Sequence, residues 1–332
     1  MFYLCVWTRV QINLNVPVGA QSPLFFIGGV PRSGTTLLRV MLDSHPDIRI
    51  GPETHIIPQF LRQREAWECS PDYLEQLAEA GISTSVMDSA VQKFILEIMT
   101  SHGYPAKYIG DKDPLNLKYM VYLKHLFPNS KFILMLRDGR AVVHSLMTRG
   151  VTVRGFNIHN QTDCLINWNK LVGEMYAQCV RLGPEICLPV YYEQLILYPE
   201  WWMRVILNFL GVPWSSNVLQ HDKIVNTARG ATLSKFEKST DQVLQPLQQH
   251  SLWNWSKNFT RMSPTKLRTL APMLDTLGYD VMSSPPVYAA MSPDVKNNIL
   301  HLTENKYFYR KRIKSVFDKL PYSASLPVVN FL

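Results

Sequence analysis

The chain alternates between continuous apolar runs and segments in which apolar residues recur every three to four positions. The clearest continuous run covers residues 131–136, and another covers residues 25–28, just before a glycine-framed loop. Such runs, bounded by polar residues, are typical of strands buried on both faces of a parallel sheet. Shorter runs predict further strands at residues 48–50, 108–110 and 188–191.

Helices are expected in the segments with the three-to-four-residue period. One follows the glycine-framed loop, and one follows residues 137–140 and ends near residue 148. The others are predicted at residues 56–67, 88–100, 116–126, 164–182, 200–210 and 264–277. Because strands and helices alternate, the pattern predicts a three-layer α/β fold with a mostly parallel sheet. In such sheets ligands bind at the carboxyl ends of the strands.

The length of 332 residues suits one large α/β domain, and nothing in the sequence resembles an interdomain linker. We expect that domain at residues 23–285, after an N-terminal segment at residues 1–22. From about residue 285 onward, proline and isolated polar residues replace the apolar pattern. Residues 286–332 are therefore expected to form an irregular tail.

The formal net charge of +8 indicates an anionic ligand or partner, because a positive field attracts nucleic acids, anionic membranes and acidic small molecules alike. A nucleic-acid-binding domain would concentrate lysine and arginine on one element, with aromatic residues between them. The dense basic run of this sequence is Arg310-Lys311-Arg312 with Lys314, near the C-terminus. A run of this kind is more often a solvated tail, so no nucleic-acid partner is expected.

The five cysteines contain no closely spaced pair of the kind that binds zinc, so no metal is expected. They are Cys5, Cys69, Cys164, Cys179 and Cys187. Cys179 ends a predicted helix and Cys187 opens a predicted strand. A short return loop between them could bring the two sulfur atoms within disulfide range.

The glycine-framed loop, P-R-S-G-T-T at residues 31–36, is the strongest candidate for chemistry. Gly29 and Gly34 free the backbone to turn, so that N–H groups of residues 32–36 can converge on an anion at the start of the next helix. The spacing matches the Walker pattern, but threonines stand in place of its Lys-Ser/Thr. This speaks against a nucleotide hydrolase or kinase and for an anion bound without metal, with Arg32 as the cation. The alternative interpretation is an ordinary glycine-rich turn.

The loop resembles the 5′-phosphosulfate loop of sulfotransferases, and further segments narrow the resemblance to protein-tyrosine sulfotransferases. These segments are residues 28–67, 112–114, 126–132, 137–140, 188–195, 239–243 and 271–274. They follow the order of that family over roughly residues 24–288, more than a short motif matches by chance. The resemblance implies a P-loop-like sulfotransferase fold. It also implies transfer of a sulfuryl group from 3′-phosphoadenosine 5′-phosphosulfate (PAPS) to protein tyrosines, without a metal.

Sulfuryl transfer to a phenol needs a base for the phenolic proton, cations for the developing charge and an in-line geometry. Glu53, just after the predicted strand at residues 48–50, matches the catalytic glutamate of the family and is the implied base. Lys112 and Arg32 would neutralise charge on the phosphosulfate, and Ser239 matches a serine that hydrogen-bonds in the transition state. Without the family, residues of these types would need no functional role.

The sequence also suggests where the adenosine 3′-phosphate binds. Arg137 at a strand end and Ser145 on the next helix are spaced to meet one anion, and Arg149 lies about one turn further. The other implied PAPS contacts are Arg32, Ser33, Gly34, Thr35, Thr36, Tyr192, Ser239, Thr240, Asp241, Gln242 and Val243. The lysine that the family has before Trp255 is Asn254 here, which predicts weaker PAPS binding.

Family members prefer tyrosines in acidic surroundings, and the positions that read the acidic residues are His55 and Gln59 here. The implied acceptors are secretory or membrane proteins, the implied compartment is the trans-Golgi lumen, and the implied assembly is a homodimer. In the family Cys179 and Cys187 are bridged, so a disulfide is implied here. A second family disulfide has no counterpart, because its positions are Ile50 and Gly110.

Three glycosylation patterns, which begin at Asn160, Asn254 and Asn258, fit a secretory route. Family members are type II membrane proteins, but the apolar start of this sequence ends at Arg9, short of the ~20 residues of a spanning helix. We therefore expect no anchor within residues 1–22.

Two other functions stay open at this point. A carbohydrate sulfotransferase would share the cofactor loop, but it normally lacks the surroundings of Lys112 and the run at residues 239–243. A PAPS-binding protein without turnover would account for Asn254, the altered acceptor positions and the missing second disulfide. Retention of all four implied catalytic residues favours an enzyme.

Overall fold

The computed structural model describes residues 18–319, apart from residues 102, 226, 228, 229, 260, 284, 291 and 292. Five strands in this part of the chain form one sheet in the order β2-β3-β1-β4-β5. They are β1 (Phe25–Gly29), β2 (Ile48–Arg49), β3 (Tyr108–Lys112), β4 (Lys131–Leu136) and β5 (Cys187–Tyr191). All pairings are parallel, and Ile27 of the central β1 is in register with Lys112 and with Ile133. The five predicted strands are confirmed.

The core lies on both faces of the sheet, as the continuous apolar runs predict. Phe26 belongs to a buried cluster with Trp168, whereas the next residue, Ile27, belongs to a second cluster with Leu38. Neighbouring strand residues point to opposite faces of the sheet. Each cluster therefore lies between the sheet and one of two helical layers. The predicted three-layer α/β fold is confirmed.

Helices form the outer layers and the C-terminal region. Those of the described residues are α1 (Thr35–Asp43), α2 (Ile56–Glu68), α3 (Pro71–Glu79), α4 (Thr84–Thr100), α5 (Met120–Leu126), α6 (Gly139–Arg149), α7 (Gln161–Leu182), α8 (Tyr192–Leu197), α9 (Pro199–Leu210), α10 (His221–Ile224), α11 (Thr240–Val243), α12 (His250–Trp253), α13 (Trp255–Asn258), α14 (Pro264–Leu270), α15 (Met273–Thr276), α16 (Pro293–Glu304) and α17 (Lys306–Lys319). Two further segments, Pro114–Tyr119 and Ser216–Leu219, are 3-10 helices. None of the described helices combines the length and the apolar character needed to cross a membrane.

Two predicted helices are divided in the structure. The one at residues 116–126 begins as the 3-10 helix Pro114–Tyr119, whose first turn is capped by the Asp113 side chain, and continues as α5. The one at residues 264–277 breaks between α14 and α15 at Pro272, because proline cannot donate the helical hydrogen bond.

The prediction of an irregular tail is wrong for residues 293–319, which form α16 and α17. Tyr309 is buried, and Ile313 and Val316 pack against a cluster that contains Val40. These residues give α17 an apolar stripe at helical spacing, between basic residues that mask it in the sequence. Residues 320–332 lie outside the described part of the chain, as do residues 1–17 of the predicted N-terminal segment.

Cys179 near the end of α7 and Cys187 at the start of β5 form a disulfide, with 5.3 Å between their Cα atoms. This confirms the pairing that the resemblance implies. Cys69 is an exposed free thiol and Cys164 a buried one, while Cys5 lies outside the described residues.

Candidate active site

The glycine-framed loop connects β1 to α1 at the carboxyl edge of the sheet. Its backbone is left-handed at Arg32 (φ 77°) and at Gly34 (φ 96°), the residue before α1. A Cβ atom at position 34 would overlap the ring of Tyr192, so the close approach of α8 also requires glycine here. The first N–H groups of a helix have no acceptor within it, which makes the start of α1 suitable for an anion.

Arg32 joins this loop to segments that are distant in sequence. Its Nε atom donates to Oγ of Ser145 on α6 at 3.0 Å, and its Nη atoms donate to Ser239 and, at 3.2 Å, to Gln242. Arg137, just after β4, donates to the main-chain oxygen of Arg32 at 2.8 Å. Ser145 therefore meets Arg32 directly, whereas the sequence predicts that it shares an anion with Arg137.

Three arginines surround this region. The guanidinium of Arg137 lies 4.4 Å from the ring centroid of Tyr192, and Arg149 donates to both carboxylate oxygens of Asp241 at 3.0 Å. Burial and the neighbouring Arg137 and Arg149 cations lower the pKa of Arg32 to about 10. Because the cations repel one another, an anionic ligand such as a phosphate or phosphosulfate would stabilise the cluster.

Several predicted cofactor residues have side chains that are engaged inside the protein. The Ser33 hydroxyl donates to the main-chain oxygen of Val30 at 2.6 Å, and Thr240 donates to that of Ser234 at 2.6 Å. Val243 is buried in the apolar cluster beneath α17. Contact of these three with a cofactor would therefore fall mainly to their main-chain atoms.

Glu53 and Lys112 form an ion pair at the same edge of the sheet. Lys112 ends β3 with its side chain fully buried, and the Glu53 side chain, in the turn after β2, is 14% exposed. The Lys112 Nζ atom donates to Glu53 and lies 3.4 Å from Oγ1 of Thr36, in the first turn of α1. Glu53, the implied base, and Lys112, an implied catalytic cation, thus contact each other beside the anion-binding loop.

A second carboxylate, Glu237, completes this arrangement. Its Oε1 atom accepts from Lys112 at 3.0 Å and from the main-chain N–H of Glu53 at 2.9 Å. Its Oε2 atom accepts from Arg39 on α1 at 3.0 Å. Burial opposes ionisation of Glu237, but the Lys112 and Arg39 cations outweigh it and lower its pKa to about 2. Neither Glu237 nor Arg39 is singled out by the sequence.

The acceptor side of the site is open to solvent at the start of α2. His55 bonds through Nδ1 to Asp113 at 2.9 Å, and its Nε2 atom lies 3.5 Å from Oε2 of Glu53. The hydrogen bond to Asp113 raises the pKa of His55, against the opposing effect of burial. Gln59 is exposed one turn further along α2. Of the two predicted acceptor residues, His55 therefore lies beside Glu53.

A buried polar cluster around Glu193 holds the segments that carry Arg137 and Tyr192. Glu193 accepts from the main-chain N–H of Asp138 at 3.0 Å and from the hydroxyl of Tyr279 at 3.1 Å. Burial raises the pKa of Glu193 to about 7. These bonds tie the turn that carries Arg137 to the turn that carries Tyr192.

Asn254, the departure from the family pattern, lies between α12 and α13 and is partly exposed. α13 packs against α6, the helix that carries Ser145. No group of three or more His, Cys, Asp or Glu side chains suited to a metal occurs in the described part of the chain.

The parallel sheet carries an arginine-lined anion loop at its carboxyl edge, and the family comparison identifies the chain as a sulfotransferase. The family model described as "Sulfotransferase family" matches residues 23–216. Among solved structures, the sulfotransferase domain of the Synechococcus PCC 7002 olefin synthase has the same fold, with a TM-score of 0.52 at 20% identity. It covers 82% of this chain, which in turn covers 99% of that domain.

Curated relatives show to which sulfotransferases the chain is similar. The chain is 50% identical over 287 residues to protein-tyrosine sulfotransferase 2 of Gallus gallus, covering 86% of this chain and 77% of the relative. It is 47% identical over 299 residues to protein-tyrosine sulfotransferase 1 of Danio rerio, covering 90% and 84%. The chain belongs to the protein-tyrosine sulfotransferase family, which confirms the resemblance seen in its sequence.

Proposed function

We propose that this enzyme transfers the sulfuryl group of PAPS to tyrosine hydroxyls of proteins, giving tyrosine O-sulfate and adenosine 3′,5′-bisphosphate. The observation that carries the proposal is the Glu53–Lys112 ion pair beside the anion loop. Phenolic transfer needs a base and a cation within one site, and this pair supplies both. The names of the relatives supply the acceptor class.

Four residues carry the proposed reaction. Glu53 takes the proton of the acceptor hydroxyl as that oxygen attacks, since a free phenol with a pKa of ~10 is a weak nucleophile at neutral pH. Lys112 and Arg32 compensate negative charge at the leaving side, and Ser239 adds a hydrogen bond through its hydroxyl. Arg32 donates to Ser239 already, so the two side chains are directed to one place.

The residues of the arginine cluster fit PAPS. The loop at residues 32–36 and the start of α1 would hold the 5′ end, and Arg137, Ser145 and Arg149 would hold the 3′-phosphate. When bound, PAPS supplies the sulfuryl group that is transferred. Arg149 forms an ion pair with Asp241, so it would exchange this partner for the 3′-phosphate when PAPS binds.

His55 and Gln59 are proposed to contact residues next to the acceptor tyrosine. A protonated His55 favours acidic neighbours, which agrees with the proposed acceptors, secretory or membrane proteins with tyrosines in acidic segments. We further propose that the protein acts in the Golgi lumen as a homodimer, as the family resemblance implies.

The decisive experiment offers the purified protein labelled PAPS and paired acidic peptides with Tyr or Phe at the acceptor position. Label is expected on the Tyr peptide alone. Transfer to a glycan acceptor and to neither peptide would indicate a carbohydrate sulfotransferase. Tight binding of adenosine 3′,5′-bisphosphate without transfer to any acceptor would indicate a binding protein that has lost turnover.

A further inference from the structure

Glu237 lies where the proposed reaction needs a second negative charge beside Lys112. In the resting site the Lys112 ammonium contacts two carboxylates, Glu53 and Glu237, and its side chain is fully buried. Once Glu53 takes the acceptor proton, it becomes neutral and one of these counter-ions disappears. A fully buried cation without a counter-ion is strongly unfavourable. Glu237, which takes no part in the proton transfer, would leave Lys112 with one counter-ion.

Glu237 is itself held in a fixed orientation. Its Oε2 atom accepts from Arg39, whose side chain is fully buried and also contacts Asp43 at 3.3 Å. Arg39 donates further to the main-chain oxygen of Thr232 at 2.7 Å. Arg39 therefore connects α1 to the segment that carries Glu237.

The same ionic chain reaches the segment before the base. Asp43 accepts from the main-chain N–H of Ile50 at 2.6 Å and from that of Gly51 at 3.3 Å. Glu237 accepts from the main-chain N–H of Glu53 at 2.9 Å. The backbone that presents Glu53 is thus fixed on both sides by carboxylates that Arg39 joins.

We propose that Glu237 is a positioning residue, which keeps Lys112 in place and charged while Glu53 accepts the acceptor proton. This inference rests on the proposed sulfotransferase function. In the step concerned, the phenolic proton passes to Glu53 and the phenolic oxygen bonds to sulfur. The bond between sulfur and the phosphate oxygen breaks, and its electron pair stays on that oxygen, next to the cations that Glu237 and the loop hold.

Glu237→Gln tests the role because it keeps the shape of the side chain and removes its charge. The charged groups around Lys112 are Glu53, Glu237, Asp111, Asp113 and His55. Without Glu237, Lys112 loses the counter-ion that remains when Glu53 is protonated, so the loss should fall on kcat. We expect kcat to fall ~10- to 100-fold, since small misplacements in a site have effects of this size. KM for the peptide and Kd for adenosine 3′,5′-bisphosphate should remain unchanged.

Glu237→Asp keeps the charge and should restore most of kcat, while Glu97→Gln, an exposed change on α4, serves as the matched control. A loss of kcat that Glu237→Asp does not reduce, or a higher peptide KM in place of a lower kcat, would overturn the proposal, whatever happens to thermal stability. A second readout does not depend on turnover. With ε-¹³C-lysine, the chemical shift of the Lys112 signal should change in Glu237→Gln and return towards its original value in Glu237→Asp. Absence of sulfate transfer by the unaltered protein would refute the proposed function, whereas an unchanged Lys112 signal in Glu237→Gln would refute the role of Glu237.

Discussion

Single residues of this site act as partners in buried ion pairs. Glu53 contacts Lys112, and Lys112 contacts Glu237, so the proposed base and the buried lysine have counter-ions before substrate arrives. Pairing keeps buried groups ionised, which an isolated carboxylate or ammonium in the same place would not be. The site is therefore charged and ordered in its resting state.

Glu53→Gln should lower turnover by ~100-fold or more, because a positioned general base contributes that much and an amide accepts no proton. Binding of adenosine 3′,5′-bisphosphate should change little, since Glu53 contacts Lys112 and His55 and lies outside the arginine cluster. Single-turnover transfer and calorimetry measure the two quantities, with exposed Glu65→Gln on α2 as the control. Lost nucleotide binding with normal turnover per bound site would contradict the assignment of Glu53 as the base.

His55 should make acceptor recognition pH-dependent. Its pKa is raised above the ordinary 6.5 by the bond to Asp113, so its positive charge persists above that pH and is lost as pH rises through the raised value. KM for an acidic peptide should therefore increase over that range by about 2- to 5-fold, the size of a partly exposed charge pair. His55→Gln should abolish the change. A neutral peptide provides the comparison, and an equal pH dependence for both peptides would exclude this role.

The sequence predicts the implied catalytic residues through family resemblance and misses Glu237 and Arg39 for a physical reason. A charged residue in a polar segment is usually solvated, and nothing local indicates that Glu237 and Arg39, 198 residues apart, become buried as a pair. Which internal partner a predicted site residue contacts is likewise not visible in the sequence: Arg32, for example, reaches Ser145, 113 residues away.

At the scale of elements, continuous apolar runs predict strands better than periodicity predicts helix ends. β4 coincides with its predicted bounds because a strand buried on both faces has polar residues only at its ends. The predicted helix at residues 264–277 is too long, because its apolar period continues across Pro272. The sequence analysis does not predict α3, a helix with no buried residue.

The disulfide links α7 to β5 and should stabilise both. Cys179→Ser is expected to lower the free energy of unfolding by roughly 2–3 kcal/mol, since the closed loop is short. Thermal unfolding measures the effect, with buried Cys164→Ser as a cysteine control outside the bridge. Thiol labelling after denaturation without reductant should miss Cys179 and Cys187. Two reactive thiols at these positions would rule out the bridge in solution.

At the scale of the whole molecule, the C-terminal region supports the site from a distance. Ile313 and Val316 of α17 pack on a cluster that contains Val40 of α1 and Leu244, just after α11. α1 follows the anion loop, and α11 follows Ser239, so one apolar cluster supports both sides of the proposed cofactor site. The sequence could not indicate this, because the cluster joins segments from three distant parts of the chain.

Tyr309→Ala should therefore weaken both the fold and nucleotide binding. Tyr309 is 6% exposed, and its removal from the packed face of α17 should cost ~2 kcal/mol of unfolding free energy. Tyr307→Ala, two residues earlier in the same helix, removes a side chain that is 80% exposed and should change stability by less than ~0.5 kcal/mol. If α17 supports the site through the Val40 and Leu244 cluster, Tyr309→Ala also raises Kd for adenosine 3′,5′-bisphosphate, and Tyr307→Ala leaves it unchanged. Equal melting temperatures for the two variants would show that α17 does not pack on the domain in solution. A large loss of stability with unaltered Kd would confine its role to the fold.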